Sequence, residues 1–297
     1  MALTSPYTGE GTEWLRGNLH THTTVSDGDH PPGDVLAAYE ERGYDFLAVS
    51  DHDVFVDPDD YRDETDLALV PAVEVTADGP HLLHLGADAA VDPDPDRQAV
   101  LDDVADRDGV AVLAHPNWQS GYDHYPQSLL EGLSGYHGVE IYNGVIERHP
   151  GAALATDRWD RLLAAGRTVW GFGNDDAHAD RDFERAWTVV HADERSPGAV
   201  LDALRAGRFH VSTGVAVDSI AVDDGAVTVE TRDADRLRLL SDLGRVQREV
   251  EGPSATFRVP EDLRYGGDHS YVRVECLGRG GGAAWTQPAF LDDRLGD

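Results

Sequence analysis

Short apolar runs alternate with amphipathic segments over the first two hundred residues of the chain. The runs predict strands at residues 46–50, 67–75, 81–85, 110–114, 139–143 and 168–172. The run at 110–114 is apolar at every position, which is typical of a strand buried on both faces. Amphipathic segments bounded by proline, serine or glycine predict helices at 31–42, 95–109, 159–165 and 196–207. Regular alternation of strands and helices predicts an α/β fold.

The pattern changes near Phe209, where the runs become shorter and alternate between apolar and polar positions. Strands are predicted at 219–222, 226–231, 237–240, 246–250, 255–259, 271–277 and 284–287. The glycine-rich stretch 278–282 lacks the strand and helix context of a phosphate-binding loop, so we interpret it as a hairpin tip. The chain is therefore expected to contain two domains, residues 1–207 and a small antiparallel, β-sandwich-like domain at 208–297.

The first candidate chemistry is a His-x-His sequence formed by His20, Thr21 and His22. Side chains two positions apart on a strand point to the same face, so the two imidazoles can approach one ion. Further ligand-type residues follow later apolar runs: Asp27, His52, Glu74, His81, His115, Asp176 and His178. Imidazole and carboxylate ligands together suit zinc, manganese or iron.

Ligand candidates at the ends of successive parallel strands are typical of a β/α barrel, whose active sites lie at the carboxyl ends of its strands. Two positions have rivals. His84 competes with His81, which we prefer for its spacing from Glu74. Asp175 competes with Asp176, which lies two residues before His178 and can share its face.

Taken in order, these motifs resemble the PHP (polymerase and histidinol phosphatase) metallohydrolase family. The resemblance rests on His-x-His, Ser26-Asp-Gly, Ser50-Asp-His-Asp, Glu74 with His81, Ala114-His-Pro, Glu140-Ile-Tyr-Asn and Asp176-x-His178, over residues 16 to 178. The tail, with 209–214, 271–275 and 285–288, is similar to the β-domain of the carbaryl-esterase-like branch.

The resemblance implies a distorted (β/α)7 PHP barrel with two or three divalent ions, Mn, Zn or Fe, and a metal-bridging hydroxide. By analogy, three ligand groups hold the ions: His20, His22 and Asp176; Glu74, His81 and His115; Asp27, His52 and His178. Catalytic roles then fall to His20, His22, Glu74, His115, Asp176 and His178.

The implied activity is metal-dependent hydrolysis of an ester bond, with a phosphoesterase as the favoured interpretation. Hydrolysis of a carboxyl ester or carbamate is an alternative, because the same hydroxide can attack a carbonyl carbon. The tail and the absence of lysine favour this alternative. A metal-holding binding module without turnover is the third hypothesis.

Several other polar residues have open roles. Glu140 and Asn143 could orient ligands or contact substrate, and Arg148 and His149 could bind an anion. Ser212 and Thr213 could return to the site as hydroxyl donors. Asp51 and Asp53 are interpreted as structural. The remaining histidines are assigned to the surface or to packing: His30, His124, His137, His191, His210 and His269.

Composition narrows the class of protein. The single cysteine, Cys276, excludes an internal disulfide and a multi-cysteine metal site. No signal-peptide pattern or membrane-length apolar run is found, so a cytoplasmic location is expected. The net charge of −32 disfavours nucleic-acid binding through a basic patch, and a small anionic or ester substrate is the expected partner.

The acidic residues are spread along the whole chain, which favours a protein from a hypersaline cytoplasm over one with an acidic binding tail. At about 1 M salt the screening length falls to about 3 Å and charge repulsion weakens. We therefore expect the melting temperature to be higher in molar KCl than in dilute buffer. An unchanged melting temperature would contradict the halophilic interpretation.

Overall fold

The computed structural model describes residues 3–7, 11–265 and 269–291. The outer ends of the two predicted domains, 1–2 and 292–297, lie outside these ranges. The helices are α1 (Pro32–Glu41), α2 (Arg97–Asp106), α3 (Gln127–Gly132), α4 (Thr156–Ala164), α5 (Pro197–Ala206) and α6 (Val259–Asp262). The strands of the first half are β1 (Glu13–Asn18), β2 (Phe46–Leu47), β3 (Ala68–Leu69), β4 (Ala72–Val75), β5 (Leu82–Leu85), β6 (Val110–Leu113), β7 (Gly138–Asn143), β8 (Trp170–Asn174) and β9 (Trp187–Ala192). The later strands are β10 (Phe209–Ser212), β11 (Val217–Asp223), β12 (Ala226–Thr231), β13 (Ala234–Ser241), β14 (Arg245–Glu251), β15 (Ser254–Arg258), β16 (Tyr271–Gly278), β17 (Ala283–Thr286) and β18 (Ala289–Phe290).

A five-stranded sheet in the order β4-β5-β6-β7-β8 forms one side of the first half. The strands β6, β7 and β8 are parallel, as the strand and helix pattern predicts, but β5 is antiparallel to both β4 and β6. The expectation of parallel strands throughout is therefore wrong at β5. The connection from β4 to β5 is too short for the crossover that a parallel pair needs, which is about a dozen residues or more.

A second sheet contains β1, β2 and β3, which are parallel to one another, and continues from β1 through the antiparallel strand β9. Two isolated bridges join it to the five-stranded sheet, Thr21 with Ala177 and His52 with Glu74. The α/β class is thus confirmed. Strand pairing among the described residues does not close a seven-stranded barrel, so the predicted (β/α)7 barrel is not confirmed.

The second half of the chain is antiparallel, with β16 and β17 joined through the glycine-rich turn at 278–282 as predicted. The strands β11, β12 and β15 form a separate sheet, while β13, β14, β16 and β17 extend the sheet that contains β10 and β9. A distinct apolar cluster lies here, including Val229, Leu237, Phe257 and Val274. The strands β9 and β10 lie on opposite sides of the predicted domain boundary at residue 207, and their backbones are paired with each other. The two-domain division stays a prediction.

The helix α5 shows how local sequence sets the element ends. The Ser196 side chain accepts the N–H of Ala199, Pro197 occupies the first helical position, and Gly207 adopts a left-handed conformation with φ of 73°. This is the serine, proline and glycine pattern that predicts the helix. Among the described residues, no helix combines the length and apolar character required to cross a membrane.

A buried ion pair ties helix α4 to the later strands. The guanidinium of Arg273 donates to both carboxylate oxygens of Asp160, at 2.8 and 2.7 Å, and the Tyr271 hydroxyl donates to the same carboxylate at 2.7 Å. Arg273 is 1% exposed, and its guanidinium also lies over the Trp159 ring. Because water cannot solvate these charges, each depends on its partner.

We expect Asp160→Ala to lower the free energy of unfolding by about 3 to 5 kcal/mol, because the buried Arg273 loses its hydrogen-bonded carboxylate and keeps only Glu275, at 4.0 Å. Urea denaturation would measure the loss. The matched control is Asp59→Ala, which removes a partner of Arg62 in a largely exposed pair and should change stability little. Equal effects of the two variants would contradict this account of the buried pair.

Candidate metal centre

A cavity of about 370 Å³ opens at the carboxyl ends of the parallel strands. It is lined by Asp27, Asp29, His52, Glu74, His81, His115, Trp118, Val145, Ile146, Arg148, His149, Asp176, His178, Ala179 and Arg181. His20 and His52 follow the strands β1 and β2, and His115 and Asp176 follow β6 and β8. His81 reaches the same end from the start of β5, which is possible because β5 runs in the opposite direction.

The His-x-His sequence places two buried imidazoles beside the same pair of carboxylates. His20 Nε2 lies 3.2 Å from an oxygen of Glu74 and 3.3 Å from Asp176 Oδ1. His22 Nε2 lies 3.4 Å from the other oxygen of Glu74 and 3.1 Å from Asp176 Oδ1. Both rings are almost completely excluded from solvent.

Glu74 occupies the centre of the cluster, and its side chain is 1% exposed. Its Oε1 lies within 3.2 Å of three imidazole nitrogens, and its Oε2 within 3.4 Å of two more. The first three belong to His20, His81 and His115, and the other two belong to His22 and His52. One carboxylate is thus shared by five histidines.

Asp27 defines an outer position nearer to solvent. Its Oδ1 lies 3.4 Å from His52 Nε2 and 3.4 Å from His178 Nε2, and 3.9 Å from His22 Nδ1. The Asp27 side chain is 56% exposed, in contrast to Glu74. The nine predicted ligands therefore lie in one continuous cluster, with Asp27 at its open side.

Glu140 is fully buried and contacts two of the inner ligands, His20 and His115. Its Oε1 lies 2.9 Å from His20 Nδ1 and accepts a hydrogen bond from Asn174. Its Oε2 accepts the backbone N–H of His115 and the amide of Asn143, each at 2.8 Å. A carboxylate in this position orients the imidazole so that Nε2 faces the cluster. Asn174 was absent from the sequence candidates, although it ends the strand β8.

Asp176, and not Asp175, enters the cluster. Asp176 adopts a φ of 54°, and Asn143 donates to its Oδ2 at 3.1 Å. Positive φ is uncommon for residues other than glycine and is often found at functional sites. Asp175 instead accepts the Tyr39 hydroxyl and the backbone N–H groups of 184–186. Burial raises the pKa of Asp175 to about 6.

The structure also separates His81 from His84. His81 Nδ1 lies 3.1 Å from Glu74 Oε1, whereas His84 points to the opposite side of β5 and is packed against Gly109.

His124, which is predicted to be a surface or packing residue, is buried beside His81 and His115. Burial, with a smaller contribution from those two histidines, lowers the pKa of His124 to about 2. His124 lies in the loop between β6 and α3, where no periodic pattern marks it.

The rim of the cavity carries two arginines and an apolar wall. Arg148 donates to both oxygens of Asp182, at 2.8 and 2.9 Å, and lies beside His149. Arg181 is 66% exposed. Trp118, with Val145 and Ile146, lines the apolar side.

Other candidates lie away from the cavity. The Ser212 hydroxyl donates to the backbone carbonyl of Val215, and Thr213 donates to that of Ala283. Asp51 and Asp53 accept backbone N–H groups from the residues around them, which agrees with a structural role.

The charges in the cluster stabilise one another. Burial acts to raise the pKa of Glu74, but the surrounding imidazoles outweigh it and hold the pKa well below its usual range. Hydrogen bonds from His178 and His52 lower the pKa of Asp27. The pKa of His52 is raised to about 10, because Asp27 and Glu74 outweigh the opposing effect of burial.

The donor atoms fit divalent cations. Seven buried atoms in the cluster have no hydrogen-bond partner: His20 Nε2, both nitrogens of His22, His52 Nδ1, Glu74 Oε2, His115 Nδ1 and Asp176 Oδ1. Some of these atoms face one another without forming a hydrogen bond, as His52 Nδ1 and Glu74 Oε2 do at 2.7 Å. Buried polar atoms are normally hydrogen-bonded, so a cation among them would supply the missing partner. Five overlapping groups of three or four donors could each hold an ion, among them His20 with His22 and Asp176. The mixture of imidazole and carboxylate suits a transition metal.

Comparison with known proteins gives structural matches alone, because no family model and no curated protein matches the chain. A two-domain protein from Bacteroides vulgatus, containing a predicted PHP-like metal-dependent phosphoesterase, matches with a TM-score of 0.53 and 17% identity. The match covers 96% of this chain and 90% of that one.

Two further solved structures match less well. PsfC from Pseudomonas syringae has a TM-score of 0.46 and 14% identity, over 65% of this chain and 90% of that one. An amidohydrolase from Chromobacterium violaceum has a TM-score of 0.40 and 17% identity, over 55% of this chain and 88% of that one. At these identities the comparison concerns the fold. The chain shares the fold of the two-domain PHP-like protein, and the resemblance to the PHP family that its motifs indicate is confirmed at that level.

Proposed function

We propose that this protein is a metal-dependent hydrolase that acts on phosphoric esters. The observation that carries the proposal is the position of Glu74, whose two oxygens lie between two sets of buried imidazoles. A shared carboxylate of this kind suits a site with more than one cation. The fold match supports the proposal, since that relative is described as containing a PHP-like metal-dependent phosphoesterase.

We assign the predicted ligands to three groups, which the contacts within the cluster support. One ion would be held by His20, His22 and Asp176, a second by Glu74, His81 and His115, and a third by Asp27, His52 and His178. When bound, divalent cations lower the pKa of a coordinated water and stabilise negative charge on the attacking and leaving oxygens.

Charge explains why such a site would accept an anion. The cavity is lined by the carboxylates of Asp27, Asp29, Glu74 and Asp176, and the whole chain carries a net charge of −32. Three divalent cations, one for each proposed ligand group, would carry six positive charges, which exceed the four negative charges of these carboxylates. The loaded cavity would therefore attract a phosphoester, and Arg181 at the rim adds a further positive group within reach.

The chain's own residues would orient the substrate and exclude water. Trp118, Val145 and Ile146 offer an apolar surface for the organic part of an ester, while Arg148 and Arg181 face its anionic part. The cavity volume of about 370 Å³ lies at the small end of ligand pockets, which span roughly 300 to 1,000 Å³. We therefore propose a small-molecule substrate in place of a polymer.

Hydrolysis of a carboxyl ester or carbamate is the second candidate, and one observation favours it. The Arg148 guanidinium is already engaged by both oxygens of Asp182, so it has less capacity to bind a phosphate. The apolar wall would then determine selectivity. The resemblance of the tail to the carbaryl-esterase-like branch stays a prediction, and so does a metal-holding module without turnover.

We expect the protein, supplied with manganese or zinc in molar KCl, to hydrolyse an aryl phosphate or phosphodiester faster than an aryl carboxyl ester. EDTA should abolish the reaction. Glu74→Gln should reduce kcat/KM by more than about 100-fold. Removing a group that only hydrogen-bonds to a metal ligand costs up to about 100-fold, and Glu74 is itself a proposed ligand. Exposed Glu64→Gln is the matched control. Turnover of carboxyl esters alone would overturn the phosphoesterase assignment in favour of the second candidate.

A separate prediction concerns metal content. His81→Leu should leave fewer ions per chain after dialysis, because His81 faces Glu74. His84→Leu makes the same replacement three residues away on the far side of the strand and should retain the full content. Elemental analysis of both folded variants, verified by circular dichroism, would measure this. Loss of metal in the His84 variant alone would contradict the assignment of His81.

A further inference from the structure

The segment between β4 and β5 carries His81, and its backbone is held by side chains from outside the segment. Arg97, at the start of α2, is 2% exposed. Its guanidinium donates to the carbonyl oxygens of Thr76, Ala77 and Pro80, at 2.7 to 3.1 Å. This buried arginine donates only to backbone carbonyls. It therefore fixes the path of the backbone just before His81.

Two consecutive residues then hold His81 itself. His124 Nε2 accepts the backbone N–H of His81 at 2.9 Å. The Tyr125 hydroxyl donates to the carbonyl of His81 at 2.9 Å and lies 3.2 Å from that of Pro80. The peptide groups on both sides of the His81 α-carbon are therefore hydrogen-bonded to the loop that follows β6. This arrangement sets the direction in which the His81 side chain leaves the backbone.

The His124 ring also packs against both imidazoles of the second proposed ion position. Its centroid lies 4.8 Å from that of His81, at 85°, and 4.8 Å from that of His115, at 47°. The Trp118 ring covers it at 4.9 Å. Because Nε2 accepts a hydrogen bond, the ring proton lies on Nδ1, and the lone pair of Nε2 is already used.

We infer that His124 is a positioning residue, which fixes His81 and His115 in the orientation that binds the second ion. The inference rests on the metal binding of the proposed function. His124 belongs to one of the donor groups that could hold an ion, with His81 and His115, but its Nε2 already accepts the backbone N–H of His81. It therefore acts mainly through the His81 backbone and does not contribute a ligand atom. Removing a group that orients a metal ligand without touching the metal typically lowers metal affinity by about 10- to 100-fold.

Three variants of the full chain test this inference. His124→Phe keeps an aromatic ring but removes the acceptor, and His124→Gln restores a side-chain acceptor without an imidazole. His137→Phe is the matched control. His137 Nδ1 also accepts a backbone N–H, that of Ala111 at 3.2 Å, but it lies just before β7, at the opposite end of the strands from the cavity.

The measurements are isothermal titration with Zn²⁺ or Co²⁺ and the visible absorption spectrum of the Co²⁺-loaded protein. We expect His124→Phe to weaken one binding event by about 10- to 100-fold and to change the Co²⁺ spectrum. His124→Gln should restore affinity and spectrum close to those of the unaltered protein, and His137→Phe should change neither. Circular dichroism would verify that each variant is folded.

Two results would overturn the inference. If His124→Phe binds metal as the unaltered protein does, His124 only fills space. If His124→Gln is as impaired as His124→Phe while both are folded, the hydrogen bond from the His81 backbone to His124 is not what positions His81, and the inference is wrong. None of these readouts uses turnover, so a protein that binds metal as expected but hydrolyses no ester would contradict the proposed function and leave this inference intact.

Discussion

The cluster around Glu74 depends on the electrostatic cost of placing ionisable groups where water cannot reach them. An isolated buried charge is expensive, and carboxylates and imidazoles reduce that cost by pairing with one another. Pairing is incomplete here, because several donor atoms facing the centre have no hydrogen-bond partner. Divalent cations would complete it. Other parts of the fold hold these groups close together. Examples are the antiparallel strand β5 and the buried Glu140.

Much of this arrangement was predictable, because some rules act over short distances. Alternation along a strand places His20 and His22 on one face, and the order of strands and helices indicates the α/β class. The capping residues of α5 predict its ends. The choice of Asp176 over Asp175 agrees with where the two carboxylates lie in the structure. Each of these conclusions needs only residues that are neighbours in sequence.

The features that sequence could not provide depend on contacts between distant segments. The direction of β5 is an exception, because the short connection from β4 already excludes a parallel pair, although the alternation of strands and helices does not reveal it. His124 lies in an irregular loop, so its place beside His81 depends on how that loop returns to the cluster. The same holds for Asn174, which meets Glu140 through tertiary packing, and for β10, which pairs with β9 across the predicted domain boundary.

The two isolated bridges between the sheets have a mechanical consequence. Thr21 pairs with Ala177 and His52 pairs with Glu74, so the seam between the sheets runs directly beside the donor atoms. His20 and His22 belong to one side of this seam, and Glu74 and Asp176 belong to the other. An ion held by donors from both sides would cross-link the sheets where few backbone hydrogen bonds join them. Metal loading would then stiffen the fold along this seam.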